Sequence, residues 1–420
     1  MVTSKLPQSG KQLKKAFSKL FCLWRKRTKS NINFARERLG LYRRFTFKEV
    51  QAATGNFRFK IASGGYSDVF KGCIGEDEYP VAFRRFNKSE RRRDEEEFLT
   101  EMESLLNLHH PHINIIPLIG YCLDGPDRFS VYEYMPRGTL SDQLHSMNDS
   151  LPWKLRLEIC IGVARGLECL HTGNPVNVII HRNIKSSNIL LNQNWVPKIS
   201  GFGISILMPT TTSLFEEAAD IHVSTGVAGT IGYIDPEYLT SGQVTTKSDV
   251  YSFGVVLFEV VSGRKPWDIA RTEMQLIPWA RKCVEVKRLY EMTDPRLEGR
   301  DKIAVAPACL KAYANLAYDC TNERGNERPS IAAVVKRLQL ILLLQECFEA
   351  HVPFSPSWLH SISISIAPPP GRGQPFEETQ DSMSAGSPSD RSEPLVEMGD
   401  LGYPNLEFTD SDYEILGPGR

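Results

Sequence analysis

The sequence predicts an α+β fold, with strand-like segments and amphipathic or buried helices along one chain. Three observations predict it. The stretch "RFKIASGGYSDVFKG" at 58–72 is glycine-rich and flanked by β-branched and aromatic residues, as in a hairpin. The stretch "WKLRLEICIGVARGLECLH" has apolar residues at 157, 160, 161, 164, 167 and 170, the spacing of a buried helix. "SDVYSFGVVLFEVVSGRKPW" reads as a capped helix, with Ser248 as N-cap, Gly263 just past its end and Pro266 beyond.

The remaining elements follow in order. Glycines in the first hairpin allow backbone N–H groups to approach a phosphate closely. "YPVAFRRF" is a short strand in which Arg84 is placed to be buried. "SERRRDEEEFLTEMESLL" has Phe98, Met102, Leu105 and Leu106 at helical spacing. Glu101 shares that inward face, unlike Glu95 and Glu96, so it needs a cationic partner, and Arg84 is the candidate. "RFSVYEYM" is a strand running into a connector. After the long helix come "VIIHRNIKSSNILL", "VPKISGFG" and "GTIGYIDPEY". "HHPHI" at 109–113 is by itself a weak signal of metal binding.

A chain of 420 residues is long enough for a sizeable core and more than one domain. Its zero net charge hides a gradient. Residues 1–44 hold thirteen Lys and Arg against Glu37 alone, a net +12, while 371–420 hold three Arg against eleven acids, a net −8. Nine scattered cysteines with no C-x-x-C favour a reducing cytosol over a disulfide framework or a zinc site. The longest apolar run near the start, "LFCLW", is far short of the roughly 18 residues that span a bilayer. It lacks a secretory layout, and Val2 excludes N-myristoylation. Phe17, Leu20, Phe21 and Trp24 share a helical face among Lys and Arg, which suits an anionic membrane surface, with Cys22 as a lipidation candidate. The competing reading is a plain basic tail. From 350 to 420 the Pro, Ser and acidic composition predicts a disordered tail, and "LEFTDSDYEIL" within it is a weak docking-peptide signal.

In this order, these segments resemble the protein kinase domain across about 58–345. "RRFTFKEVQAATGNF", "HVSTGVAGTIGYIDPEY" and "SDVYSFGVVLFEVVSGRKPW" resemble plant receptor-like kinases, and the closest description is a receptor-like cytoplasmic kinase. The resemblance implies a two-lobed fold: a small β-rich lobe and hinge at 58–135, a helical lobe at 136–347, and a lead-in at 45–57. It implies an ATP pocket at Ile61, Ala62, Gly64, Val69, Ala82, Arg84, Tyr132, Glu133, Met135 and Leu190. Asp249 would hold the catalytic loop, and Glu237 would pair with Arg328. Arg182 would receive a phosphate on Ser224, Thr225 or Thr230.

Three positions depart from the family's pattern. The phosphate-clamping lysine falls on Arg84, whose planar fork differs from a compact ammonium. The catalytic-loop aspartate falls on Asn183, with Lys185 and Asn188 retained; a lost base costs about 10²–10⁴-fold. The metal-holding aspartate falls on Gly201, which has no ligand to offer, leaving Asn188 as the remaining metal candidate. Two of the loop's three glycines are also replaced, at Ala62 and Ser67.

The reading these changes support is a pseudokinase with no intact catalytic set, and so not an enzyme. Its ATP binding would be weak or metal-independent and its Mg²⁺ site impaired. It would serve as scaffold, allosteric partner or decoy for active receptor-like kinases, in the cytoplasm and peripherally at the plasma membrane, with no nucleic-acid partner. The alternatives are a low-activity or atypical Ser/Thr protein kinase and an ATP-binding switch without transfer.

Overall fold

A period-two pattern in the first lobe sorts its side chains onto two faces of one sheet. The computed structural model describes residues 42–352, save 65–66, 87–91, 109–110, 126, 147–149, 174–176, 210–222 and 298–304, together with 414–416. The basic segment with Cys22 and most of the acidic tail lie outside the described residues.

Six strands make the sheet: β1 (Arg43–Arg44), β2 (Lys60–Ser63), β3 (Ser67–Ile74), β4 (Tyr79–Phe86), β5 (Leu118–Cys122) and β6 (Arg128–Glu133), in the order β1-β5-β6-β4-β3-β2. Every pairing is antiparallel except β1 with β5. Val81, Phe83, Phe129 and Val131 bury one face together with Phe45 and Val50. Phe45 and Val50 belong to the lead-in, whose helix α1 (Phe47–Ala53) starts at a Thr46/Glu49 capping box. β1 lies close enough to β5 that a Cβ on Gly120 would clash with the Arg43 carbonyl oxygen. The opposite face packs Phe86 and Tyr121 on Phe98, Met102 and Leu106 of α2 (Arg92–Leu106).

The second lobe is built on α3 (Leu140–His145), α4 (Trp153–Thr172), α5 (Pro236–Ser241), α6 (Thr246–Ser262), α7 (Leu276–Glu285), α8 (Pro307–Cys320) and α9 (Ile331–Glu349). Every residue of α6 from Ser248 to Ser262 is buried, as expected of a helix apolar on all sides at the centre of a bundle. Its N-cap is Thr245 rather than Ser248. Ser248 is the third helical residue and returns the capping box, and both hydroxyls fit the start pattern, which is why the sequence alone misplaces the cap. Gly263 closes the helix at φ +63°.

Short strands form four two-stranded sheets among the described residues. β7 (Asn177–Ile180) pairs with β10 (Ile206–Pro209), and β8 (Ile189–Leu191) pairs with β9 (Pro197–Ile199). β11 (Val223–Ser224) pairs with β13 (Gln243–Val244), and β12 (Ala228–Thr230) pairs with β14 (Glu414–Leu416).

Candidate active site

Strand register brings the first cluster together. Val69 faces Arg84, Arg84 faces Ser130, and Ala82 faces both Lys71 and Tyr132 across the ladders. Directly opposed residues share a face, so Ala62, Val69, Ala82, Arg84, Ser130 and Tyr132 all lie on the α2 side of the sheet. Glu101 of α2 meets that face with 1% of its surface exposed. It accepts from Arg84 Nη1 and from Tyr132 Oη, and from Ser130 Oγ at 3.2 Å. Three donors answer the need of a buried carboxylate, and the charged one gives most. Burial, then the Glu101 charge, pushes the Tyr132 phenol well above its usual range, so it stays a donor.

Arg84 has further partners that the sequence did not reveal. Its Nε donates to Ser67 Oγ at 2.9 Å, and its Nη2 lies 4.0 Å from Glu97 Oε2. Ser67 is a position where the family resemblance expects a glycine, and here it supplies an acceptor for Arg84. Only the cross-strand register reveals the pairing.

The nucleotide-facing residues differ in exposure. Tyr132 and Met135 are buried, Ala82, Val69 and Leu190 half-buried, and Ile61 is 45% exposed. Leu190 forms an isolated bridge with Thr139, at the start of α3. This apolar floor with a cationic end suits an adenine ring and phosphates.

The catalytic loop hangs from one buried carboxylate. Asp249 of α6 accepts the backbone N–H groups of His181 and Arg182 at 2.8 Å each, and His171 Nε2 lies 2.9 Å from it. These contacts hold Arg182 at φ +67°. His181 Nε2 lies 3.0 Å from the Ser200 carbonyl, and its Nδ1 accepts the Asn183 N–H at 3.2 Å. This is the pattern of a neutral ring, and burial pushes the His181 imidazole down to about 4.

Asn183 and Lys185 converge on one hydroxyl. Thr230 Oγ1 donates to Asn183 Oδ1 at 2.8 Å and accepts from Lys185 Nζ at 2.8 Å. Asn188 Nδ2 donates to the Asn183 carbonyl at 2.8 Å. Gly201 sits at φ +84°, and a Cβ there would come within 2.6 Å of Asn188 Nδ2. The amide thus fills the space beside Gly201.

The resemblance fits ATP and magnesium unequally. The register face and Arg84 fit a nucleotide. For Mg²⁺, Gly201 offers no side-chain oxygen. Asn188 is an amide, a weaker donor than the carboxylates a hard cation prefers.

The activation segment corrects one pairing. Arg328 binds Asp235, not Glu237, through Nη1 at 2.7 Å and Nη2 at 2.6 Å, and both side chains are buried. Asp235 is already in place as the N-cap of α5, while Glu237 accepts the Gly325 N–H. Arg182 donates to the carbonyls of Ile204 at 3.0 Å and Gly226 at 2.7 Å, and to Tyr238 Oη. Ser224 is exposed on β11, and Thr225 donates its N–H to Gly242 at 3.0 Å.

Known proteins place this geometry in a family. The family described as protein tyrosine and serine/threonine kinase matches residues 56–338. The chain is 42% identical over 305 residues to "Probable serine/threonine-protein kinase PBL7" of Arabidopsis thaliana, covering 71% of this chain and 77% of that protein. It is 40% identical over 379 residues to "Serine/threonine-protein kinase PBL27" of the same plant, covering 88% and 68%. It is 43% identical over 314 residues to "Receptor-like protein kinase FERONIA", also from that plant, covering 74% of this chain but 33% of the relative. The chain thus spans about a third of such receptor-like relatives. No helix among the described residues is long and apolar enough to cross a membrane.

These findings overturn the expectation that the chain is not an enzyme. The matched family is one of kinases, and the relatives that it covers most fully are named as serine/threonine kinases. Around Arg84 and Asn183 the side chains of Glu101, Lys185 and Thr230 remain as partners. The chain belongs to the protein tyrosine and serine/threonine kinase family, among the plant receptor-like kinases.

Proposed function

We propose that the chain is an atypical serine/threonine protein kinase that moves the terminal phosphoryl group of ATP to a protein hydroxyl. One observation carries the reading: Asn183 and Lys185 together hold the Thr230 hydroxyl, one accepting its proton in a hydrogen bond and the other donating to its oxygen. A substrate hydroxyl seated there would meet the same pair. Transfer through a loose transition state asks mainly for positioning and charge stabilisation, and little of a strong base. Asn183 orients the hydroxyl but does not take its proton, which leaves to water or to a phosphoryl oxygen. Lys185 and Arg84 supply positive charge. A divalent ion on ATP neutralises phosphate charge when bound. Binding of that ion would be weak on the protein side, because Gly201 adds no ligand.

The test is transfer of labelled phosphate from ATP to a generic protein substrate, with Mg²⁺ or Mn²⁺. Incorporation above a heat-killed blank, lost in Lys185→Ala and in Arg84→Ala, is the expected result. Silence with both metals would overturn the reading.

We infer also that the chain works alongside other receptor-like kinases at an anionic membrane surface. The net +12 of residues 1–44 and its interleaved aromatic residues support this. Sedimentation with phosphatidylserine vesicles, reduced by high salt, is the check.

A further inference from the structure

The extreme C-terminal part of the chain carries a strand that phosphoryl transfer does not use. β14 pairs antiparallel with β12, with Leu416 opposite Ala228, Ile415 opposite Gly229 and Glu414 opposite Thr230. β14 is the partner strand of β12 in a two-stranded sheet.

This strand lies beside the reacting groups. Thr230, at one end of β12, is the residue whose hydroxyl binds Asn183 and Lys185. Gly229, in the middle, takes φ +150°, and a Cβ there would meet the Arg182 carbonyl oxygen at 3.2 Å and Ile234 Cγ1 at 3.0 Å. A glycine is needed for β12 to pass so close to the catalytic loop. A chain seated on β12 therefore runs alongside that loop.

The sequence around β14 suits the place. Ile415, at its centre, is β-branched, a residue type enriched in strands. Pro418, which cannot donate to a ladder, follows shortly after.

We propose that Glu414–Leu416 is a built-in strand ligand of β12, docked by main-chain pairing, which covers the approach of an external protein substrate to Thr230, Asn183 and Lys185. The docking stands on the strand pairing alone. The covering role rests on the kinase reading above.

Amide hydrogen exchange on the full chain tests the docking. Successive strand N–H groups point to opposite edges, so the double change Glu414→Pro and Ile415→Pro removes whichever one faces β12. Exchange at residues 228–230 should then rise about tenfold or more, as it should in a chain ending at residue 406. A peptide of residues 407–420 at about 1 mM, the order of concentration that tethering provides, should slow it again in the shortened chain. Unchanged exchange in both variants would overturn the docking, as would a peptide with no effect. In the transfer assay, the shortened chain should label a generic substrate severalfold faster than the full chain. Faster exchange with equal or slower labelling would overturn the covering role. If neither chain transfers phosphate, the kinase reading fails, and exchange alone decides the docking.

Discussion

Arg84 donates through Nε to Ser67 Oγ at 2.9 Å, so two positions where the family resemblance expects a lysine and a glycine hold each other. The guanidinium fork spans this hydroxyl and the buried Glu101 together. A lysine ammonium is a compact point charge and does not present that fork. Arg84→Ala removes the charged partner of a carboxylate with 1% exposure. Breaking a buried pair costs about 3–5 kcal/mol, and because Arg84 keeps some solvent contact the lower end is expected. Ser67→Gly should cost only about 1 kcal/mol. Urea denaturation with an unchanged slope is the measurement, and equal midpoints for wild type and Arg84→Ala would contradict the pairing.

His181 makes stability depend on pH in a defined window. Burial holds its imidazole at about 4, while an unfolded histidine titrates near 6.5. Between those values the unfolded chain binds more protons, so stability falls as pH falls from about 6.5 toward 4, by at most about 1.4 kcal/mol per pH unit. Above 6.5 this group adds no slope. Other groups titrate in the same range, so the comparison is with His181→Phe, which keeps a ring against Phe202 at 4.7 Å between centroids in the wild type. The variant should lose the His181 part of the slope. An identical pH profile for both proteins would refute the assignment.

Gly201 ties backbone shape to metal use. Its φ of +84° is easy for glycine and strained for other residues, though Asp tolerates the region better than most. Gly201→Asp must also displace the Asn188 amide, which lies 2.6 Å from the new Cβ. A loss of about 1–2 kcal/mol in urea is expected. The new carboxylate would add a hard oxygen ligand, so Mg²⁺-dependent labelling should rise by roughly tenfold or more, modest beside the several kcal/mol a metal supplies. A variant that unfolds more easily yet shows no greater response to Mg²⁺ would separate the strain from the chemistry and reject the ligand argument.

Local patterns made the fold legible, and side-chain partners set by long-range register were not. Phe98, Met102, Leu105 and Leu106 define the inward face of α2, which places Glu101 toward the sheet without any structure. Finding Ser67 and Ser130 required knowing that β3 and β6 flank β4 with Arg84 opposite Val69 and Ser130. Thr245 and Ser248 both fit a helix start, and only the observed hydrogen bonds distinguish cap from third residue. The "YEIL" near the end carries no local mark of β12 as its partner. The side-chain partners of Arg84, Asn183 and Gly201 were legible only in part. Their neighbours Ser67, Lys185 and Asn188 change what each replacement can do.

Asp235 and Glu237 are two residues apart, and the buried Arg328 chooses the first. Its two terminal nitrogens lie 2.6 and 2.7 Å from the two Asp235 oxygens, a bidentate pair. Its other donors reach the carbonyls of Asn322 at 2.7 Å, Glu323 at 3.0 Å and Lys247 at 3.1 Å. Asp235 also accepts the Glu237 N–H at 2.9 Å, so one carboxylate both caps α5 and anchors the loop before α9. Arg328→Ala would leave Asp235 buried without its cation, at a loss of about 3–5 kcal/mol. Asp235→Ala should be of similar size, and the double change should cost far less than the two added together. Glu237→Gln removes one charge but leaves an oxygen to accept the Gly325 N–H, so about 1 kcal/mol is expected. The cycle is measured by urea denaturation of the four proteins. If Glu237→Gln costs as much as Arg328→Ala and the Asp235 pair shows no coupling, Glu237 rather than Asp235 is the partner of Arg328.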